Sequence, residues 1–154
     1  MDRPINIIDK LGALIPGYTG YAEREGRRHC DKQLRSSLSF KMQEIEKKLI
    51  NHLNNAINNS NRLLMRQIED VKQELNTLKS KIEYAPYGAS SMFSDNQLKE
   101  SELLKIYEFD LNMSEITNQL SSIVIELNIM LFKEKLGLLQ DELNNRNEFI
   151  KNHK

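Results

Sequence analysis

Proline occurs at only three positions, 4, 16 and 86, so nothing forbids helix between residues 17 and 85 or beyond 87. Along both stretches apolar residues recur at alternating steps of three and four, the spacing of a helix with one buried face. Leu34, Leu38, Met42, Ile45, Leu49, Leu53 and Ile57 form the first stripe. Leu64, Ile68, Val71, Leu75, Leu78 and Ile82 form a second, nearly three heptads long. Ile106, Phe109, Met113, Ile116, Leu120, Ile123, Leu127 and Met130 form a third. The phase then slips, and Leu136, Leu139, Leu143, Asn147 and Ile150 make a fourth.

These stripes predict an all-α fold in one domain of 154 residues: an elongated antiparallel helical bundle or coiled-coil-like hairpin with a short N-terminal helix. The expected helices are 20–58, 61–84, 95–131 and 136–151, after a short apolar segment at 4–15 with Ile5, Ile8, Leu11 and Ile15 at helical spacing. Thr19 reads as the cap of the first long helix. The polar run "NNAINNSN" predicts a turn near Asn58–Asn61. Ser94 and Gln97 of "SDNQ" read as a capping box. The phase slip predicts a tight turn near Phe132–Gly137, with a helix stutter as the alternative. A helix with a single apolar stripe needs a partner in the chain or in a second copy, so homodimerisation is an expectation.

Composition narrows the function. Lys+Arg and Asp+Glu number 22 each, so the chain lacks the basic excess of a general nucleic-acid binder, and no nucleic-acid partner is expected. The single cysteine, Cys30, allows no intrachain disulfide and fits a reducing compartment. The acidic Asp9 within "INIIDKLGALIPG" argues against a secretory leader. The run "IVIELNIMLF" is interrupted by Glu126 and Asn128 and is too short to span a bilayer. The expected location is therefore the cytoplasm.

The densest chemistry lies in "GYTGYAEREGRRHCDKQLR", residues 17–35. His29, Cys30 and Asp31 are consecutive, so on a helix they point apart and form no nucleophile–base pair. His52 and His153 are remote, and no spacing for a metal site is present. No catalytic residue, metal or cofactor is expected. Cys30 continues the Leu34/Leu38 face and reads as a small buried apolar residue. Charge pairs such as Glu23–Arg27, Arg27–Asp31 and Asp31–Arg35 fall at i,i+4, as on a solvated helix face. Two features go further. Gly26 inside a helix predicts close approach of another element. Tyr18 and Tyr21 beside Arg24 and Arg28 combine residue types common at recognition hot spots. Tyr18, Tyr21, Arg24, Arg28 and Arg35 are thus the candidate partner surface. The structural alternative is that these arginines clamp acidic residues of the same chain, with Glu108 and Asp110 of "YEFD" as acceptors. "YAPYGASSMF" reads as a loop packing on the bundle end through Tyr87, Met92 and Phe93.

Taken together, "IPGYTGYAEREGRRHCDKQLR", "YAPYGASSMF" and "IYEFD" resemble, in order and spacing, the pattern of a family of small helical prokaryotic proteins: I-P-G-Y-x-G-Y-x-x-R-E-x-R-R-x-x-D-K-x-L-R, then A-P-Y-G, then Y-x-F-D. Arg24, Glu25, Arg27, Arg28, Asp31, Lys32, Leu34 and Arg35 match the first motif, and Tyr107, Phe109 and Asp110 match the third. The Asn, Lys and Ile content fits a low-GC genome. The resemblance implies no established activity. It implies association with SPFH-domain proteins, the stomatin- and prohibitin-like membrane scaffolds, and so an accessory role at the inner face of the membrane.

The leading expectation is a non-enzymatic helical interaction or adaptor protein that docks a protein partner at its Tyr/Arg end. The first alternative is peripheral binding to a membrane surface through residues 4–15. The second is a small-molecule or nucleotide-processing enzyme at the Arg-rich end.

Overall fold

The structure is a computed structural model and describes residues 3–84, 93 and 98–152. Among the described residues there are five α-helices and no strand. Helix α1 is Arg3–Leu14, α2 Arg27–Asn58, α3 Arg62–Glu83, α4 Glu100–Glu126 and α5 Ile129–Lys151; a 3-10 turn, Arg24–Gly26, precedes α2. The expected all-α bundle is the fold observed.

Helices α2 and α3 form one antiparallel hairpin and α4 and α5 another. The hairpins lie side by side, α2 against α4 and α3 against α5, and α1 packs across α4. Helices α2 and α4 run parallel. His52 Nε2 donates to the carbonyl oxygen of Val124 at 2.7 Å near their C-terminal ends, and Lys41 Nζ reaches Asn118 Oδ1 at 3.0 Å midway. Asn76 of α3 donates to Glu46 of α2 at 2.9 Å, and Lys133 of α5 pairs with Glu74 of α3 at 3.8 Å. Both chain reversals, α2–α3 and α4–α5, therefore lie at one end of the bundle. Residues 15–26 lie at the other. The core between the hairpins holds Leu34, Leu38, Met42, Ile45 and Leu49 of α2, facing Ile68, Val71 and Leu75 of α3 and Met113, Leu120 and Val124 of α4.

The α2–α3 turn falls where the polar run predicts it. Ser60 adopts a left-handed φ of 55°, the Asn61 N–H reaches back to the Ala56 carbonyl at 2.9 Å, and Asn61 Oδ1 accepts from the Leu64 N–H at 3.2 Å. A capped reversal of this kind satisfies orphan groups at both helix ends, a carbonyl of α2 and an N–H of α3 among them.

Three expected boundaries move. The second hairpin turns at Leu127–Asn128, and residues 132–137 lie inside α5. Asn128 is the reason: its side chain accepts from the Leu131 N–H at 3.1 Å and starts a new helix, while Leu127 takes a left-handed φ of 48°. Phe132 is then fully buried and Met130 is 83% exposed, so Met130 leaves the third stripe. The first long helix begins at Arg27 rather than Gly20, and Thr19 is exposed and caps nothing. Gly17 and Gly20, at φ 81° and 91°, hold residues 17–23 out of helix. Helix α4 begins at Glu100, where the Lys99 N–H donates to Glu102 Oε1 at 3.0 Å. The predicted box of Ser94 and Gln97 lies outside the described residues, as do Tyr87 and Met92.

The apolar face of α1 turns inward. Leu11 and Ile15 are fully buried, and Ile7, Ile8 and Leu14 pack against the same core. The face on which membrane binding through residues 4–15 depended is thus largely spent on the fold.

Candidate functional site

At the end opposite the reversals, polar groups from three helices and the 15–26 segment close on one another. Asp110 of α4 is at the centre. Its Oδ2 accepts from the Tyr18 hydroxyl at 2.7 Å and from the Tyr21 hydroxyl at 2.6 Å. Its Oδ1 accepts from Arg146 Nε of α5 at 2.6 Å. Arg146 Nη2 donates onward to Tyr21 Oη at 3.0 Å and to Asp31 Oδ1 of α2 at 2.7 Å. Asp31 Oδ2 in turn accepts from Arg35 Nε at 2.9 Å, and Arg35 Nη1 donates to the Glu83 carbonyl at the end of α3 at 2.8 Å. One chain of charge-assisted hydrogen bonds thus links all four bundle helices.

The backbone of the 15–26 segment is held to the same cluster. The Tyr21 N–H donates to the Tyr107 hydroxyl at 2.8 Å, and Arg27 Nε donates to the Tyr21 carbonyl at 2.8 Å. Gly20 is required here. A Cβ on it would sit 2.9 Å from the Tyr107 hydroxyl, and its φ of 91° already disfavours a side chain. The rings of Tyr21 and Tyr107 lie 5.6 Å apart and those of Tyr18 and Tyr21 meet edge-on at 5.9 Å. Phe93, 4% exposed, packs beside Tyr21, and the Arg28 guanidinium lies 5.4 Å from its ring centre.

Asp31, Asp110 and Arg146 are all 3% exposed or less, so solvent does little to screen them. Burial pushes the Asp110 carboxyl above its ordinary range, opposed by Arg146 and by the two tyrosine hydroxyls. Burial and then the Asp110 charge push the Tyr18 and Tyr21 hydroxyls far up, and burial also raises Tyr107. The Cys30 thiol is pushed up to about 11 by burial and by Asp110. None of these groups is tuned toward attack or proton abstraction at neutral pH: the phenols and the thiol are held protonated, and the carboxylates are engaged by donors. The arrangement suits a clasp that joins helices.

The structure divides the residues singled out from the sequence. Tyr18 and Tyr21 are buried at 7% and 0%, which removes them from a partner surface. Their hydroxyls are engaged by Asp110, and Arg28 stacks on the ring of Phe93. Arg35 is spent inside the chain on Asp31 and the Glu83 carbonyl. Arg24 and Arg28 remain exposed, Arg24 beside Glu25 at 3.8 Å. Asp110 is an intrachain acceptor as expected, although its arginine is Arg146; Glu108 is exposed on the outer side of α4. Cys30 is fully buried. Among the described residues Gly26 does not mark a close approach: a Cβ there would meet none of their atoms within 4 Å, and the residue stands at the N-terminal boundary of α2.

Arg146 is the residue that reading the sequence missed, and a signal for it exists. The buried stripe of α5 is Phe132, Leu136, Leu139, Leu143, Arg146 and Ile150, in steps of four and three. Arg146 sits on the apolar seam, where an arginine calls for a buried acid. Assigning the seam position to Asn147 hid it. Among the described residues no group of three or more His, Cys, Asp or Glu side chains could hold a metal ion, and no helix is long and apolar enough to cross a membrane. Comparison with family models, with curated proteins and with solved structures finds no match to this chain.

Proposed function

We propose that this protein works by binding: a helical interaction protein, accessory to a membrane scaffold of the SPFH-domain class at the cytoplasmic face. The observation that supports binding over chemistry is the closed state of the motif. Tyr18, Tyr21, Asp31, Asp110 and Arg146 are buried and engaged with one another. A motif spent on its own fold serves as a rigid mount. The scaffold partner rests on the resemblance of the three motifs.

In this reading Arg24 and Arg28, exposed on the rim of the mount, meet the partner. The test is affinity capture from detergent-solubilised membranes, with wild type beside an Arg24→Ala/Arg28→Ala variant. Capture of an SPFH-domain protein by wild type, lost in a variant that melts at the wild-type temperature, supports the reading. Equal capture by both moves the docking face away from Arg24 and Arg28. Failure of wild type to capture any SPFH-domain protein overturns the scaffold assignment.

A further inference from the structure

The end of the bundle that carries both reversals is built unlike the clasp end. Ile57, Leu63, Ile125, Met130 and Leu131 are 48%, 68%, 61%, 83% and 37% exposed. Each lies within four residues of Ser60 or Leu127, the left-handed residues at which the chain turns. Because α2 and α4 run parallel and are joined by His52 and Val124, the two turns stand side by side. Isolated exposed leucines need no explanation; five large apolar side chains gathered at one tip do.

The charge around this tip is lopsided. Within eight residues of Ser60 and Leu127 stand Arg62, Arg66, Lys133 and Lys135 against Glu126 and Glu134, and Arg62 and Arg66 follow directly on the first turn. From Lys47 to Ile68 there is no acidic residue. Arg62 and Arg66, on the first two turns of α3, are exposed. Lys47 and Lys133 also meet Glu44 and Glu74 farther from the tip. An apolar tip with a cationic collar is complementary to a layer that is anionic outside and apolar beneath. A second copy docked tip to tip would set like charges together, which disfavours that occupant.

We propose that the two reversals form a membrane-docking tip. Leu63, Met130 and their neighbours enter the headgroup–acyl boundary of an anionic bilayer while Arg62 and Arg66 lie among the headgroups. This rests on the reading of the protein as one that works by binding, but it concerns lipid and the end opposite Arg24 and Arg28.

The test is co-sedimentation of the full chain with vesicles of phosphatidylcholine alone and of phosphatidylcholine with one-third phosphatidylglycerol. Wild type is expected on the anionic vesicles, with binding that falls as salt rises and is weak on neutral ones. Leu63→Gln/Met130→Gln, both at exposed positions, should keep the wild-type melting temperature and weaken partitioning about tenfold. Arg62→Gln/Arg66→Gln should weaken binding and flatten its salt dependence. Arg24→Ala/Arg28→Ala should bind like wild type. The proposal is overturned by absence of binding to anionic vesicles, by equal binding of the Leu63→Gln/Met130→Gln variant, or by a tip needed only for self-association or for an acidic protein. Scaffold capture in detergent without vesicle binding would overturn the lipid tip alone; vesicle binding without capture would leave the tip standing and overturn the scaffold partner.

Discussion

Arg146 Nε lies 2.6 Å from Asp110 Oδ1, with the two side chains 1% and 0% exposed, and this contact fastens α5 to α4 at the clasp end. The same guanidinium reaches Asp31 of α2 at 2.7 Å. One side chain therefore answers two buried carboxylates. Removing it leaves Asp31 to Arg35 and Asp110 to the two tyrosine hydroxyls, so a fully buried carboxylate loses its guanidinium, which costs far more than a surface ion pair is worth.

Arg146→Met should lower stability by about 3–5 kcal/mol, the usual cost of breaking a buried pair from one side. Thermal unfolding followed by circular dichroism should show the melting temperature falling by about 10 °C for a domain of this size. Arg146→Lys keeps the charge but not the planar fork and should fall between the two. A loss below about 1 kcal/mol in Arg146→Met would mean that water replaces the guanidinium.

Tyr21→Phe should cost more than Tyr18→Phe. The Tyr21 hydroxyl donates to Asp110 and accepts from Arg146, whereas the bond of Tyr18 in this network is the one to Asp110. Leaving buried partners unsatisfied costs about 1–3 kcal/mol, with Tyr18→Phe toward the lower value. Urea titration should give midpoints in that order with unchanged slopes; a reversed order would put the weight of the network on Tyr18.

Gly20→Ala and Gly26→Ala should part company. The first forces a Cβ to 2.9 Å from the Tyr107 hydroxyl at φ 91° and should cost about 1–3 kcal/mol. The second, at a negative φ, meets none of the described residues within 4 Å and should change stability by less than about 0.5 kcal/mol. Paired denaturation curves decide it, and equal losses would contradict the tight seat of Gly20 against Tyr107.

Asp110 should make the acid limb of the stability curve unusual. Burial raises its pKa in the folded chain above the ordinary 3.8. The folded state therefore takes up this proton before the unfolded state does. The contribution of Asp110 grows as pH falls through its folded pKa toward 3.8, and it is lost as pH rises back through that value. Relative to Asp110→Asn, which cannot titrate there, wild type should gain stability as pH is lowered from 7 toward about 4. Urea unfolding of both proteins across that range measures the difference, and a relative loss would mean that the ion pair with Arg146 outweighs burial.

Cys30 should resist alkylation in the native protein and react readily in denaturant. It is fully buried and its thiol is pushed up to about 11, so little thiolate exists at neutral pH. Iodoacetamide labelling read by mass spectrometry gives the two rates, and rapid native labelling would show that the α2 end opens.

The stripes of α2 and α3 were legible because periodicity reports directly which residues face a partner helix, and Leu34 through Leu49 and Ile68 through Ile82 are buried as spaced. The α4–α5 turn was misplaced because Leu127 looks like a stripe residue, while the signal that stops the helix is the capping side chain of Asn128. The start of α2 was misplaced for a related reason: two glycines at positive φ break the helix, yet neither is a proline. Within the clasp, the motif identified Tyr21, Asp31 and Asp110 as residues of consequence. Their role depended on a long-range partner. Asp31 and Arg146 are 115 positions apart, a distance over which local spacing carries no information.

That separation also orders events during synthesis. Tyr21 and Arg146, bonded at 3.0 Å, stand 125 positions apart, so the first hairpin can form while the arginine that will tie its Asp31 to Asp110 has yet to be made. The α2–α3 pair consists of near neighbours in sequence and can form early, whereas the network at its open end must wait for α5. Before α5 follows, the 15–26 segment can meet Tyr107 and Asp110 of α4, but the arginine that ties Asp110 to Asp31 is missing. Closing of the clasp is thus a late step that waits for Arg146, and a chain stopped short of that residue would hold a formed hairpin with an unlocked end.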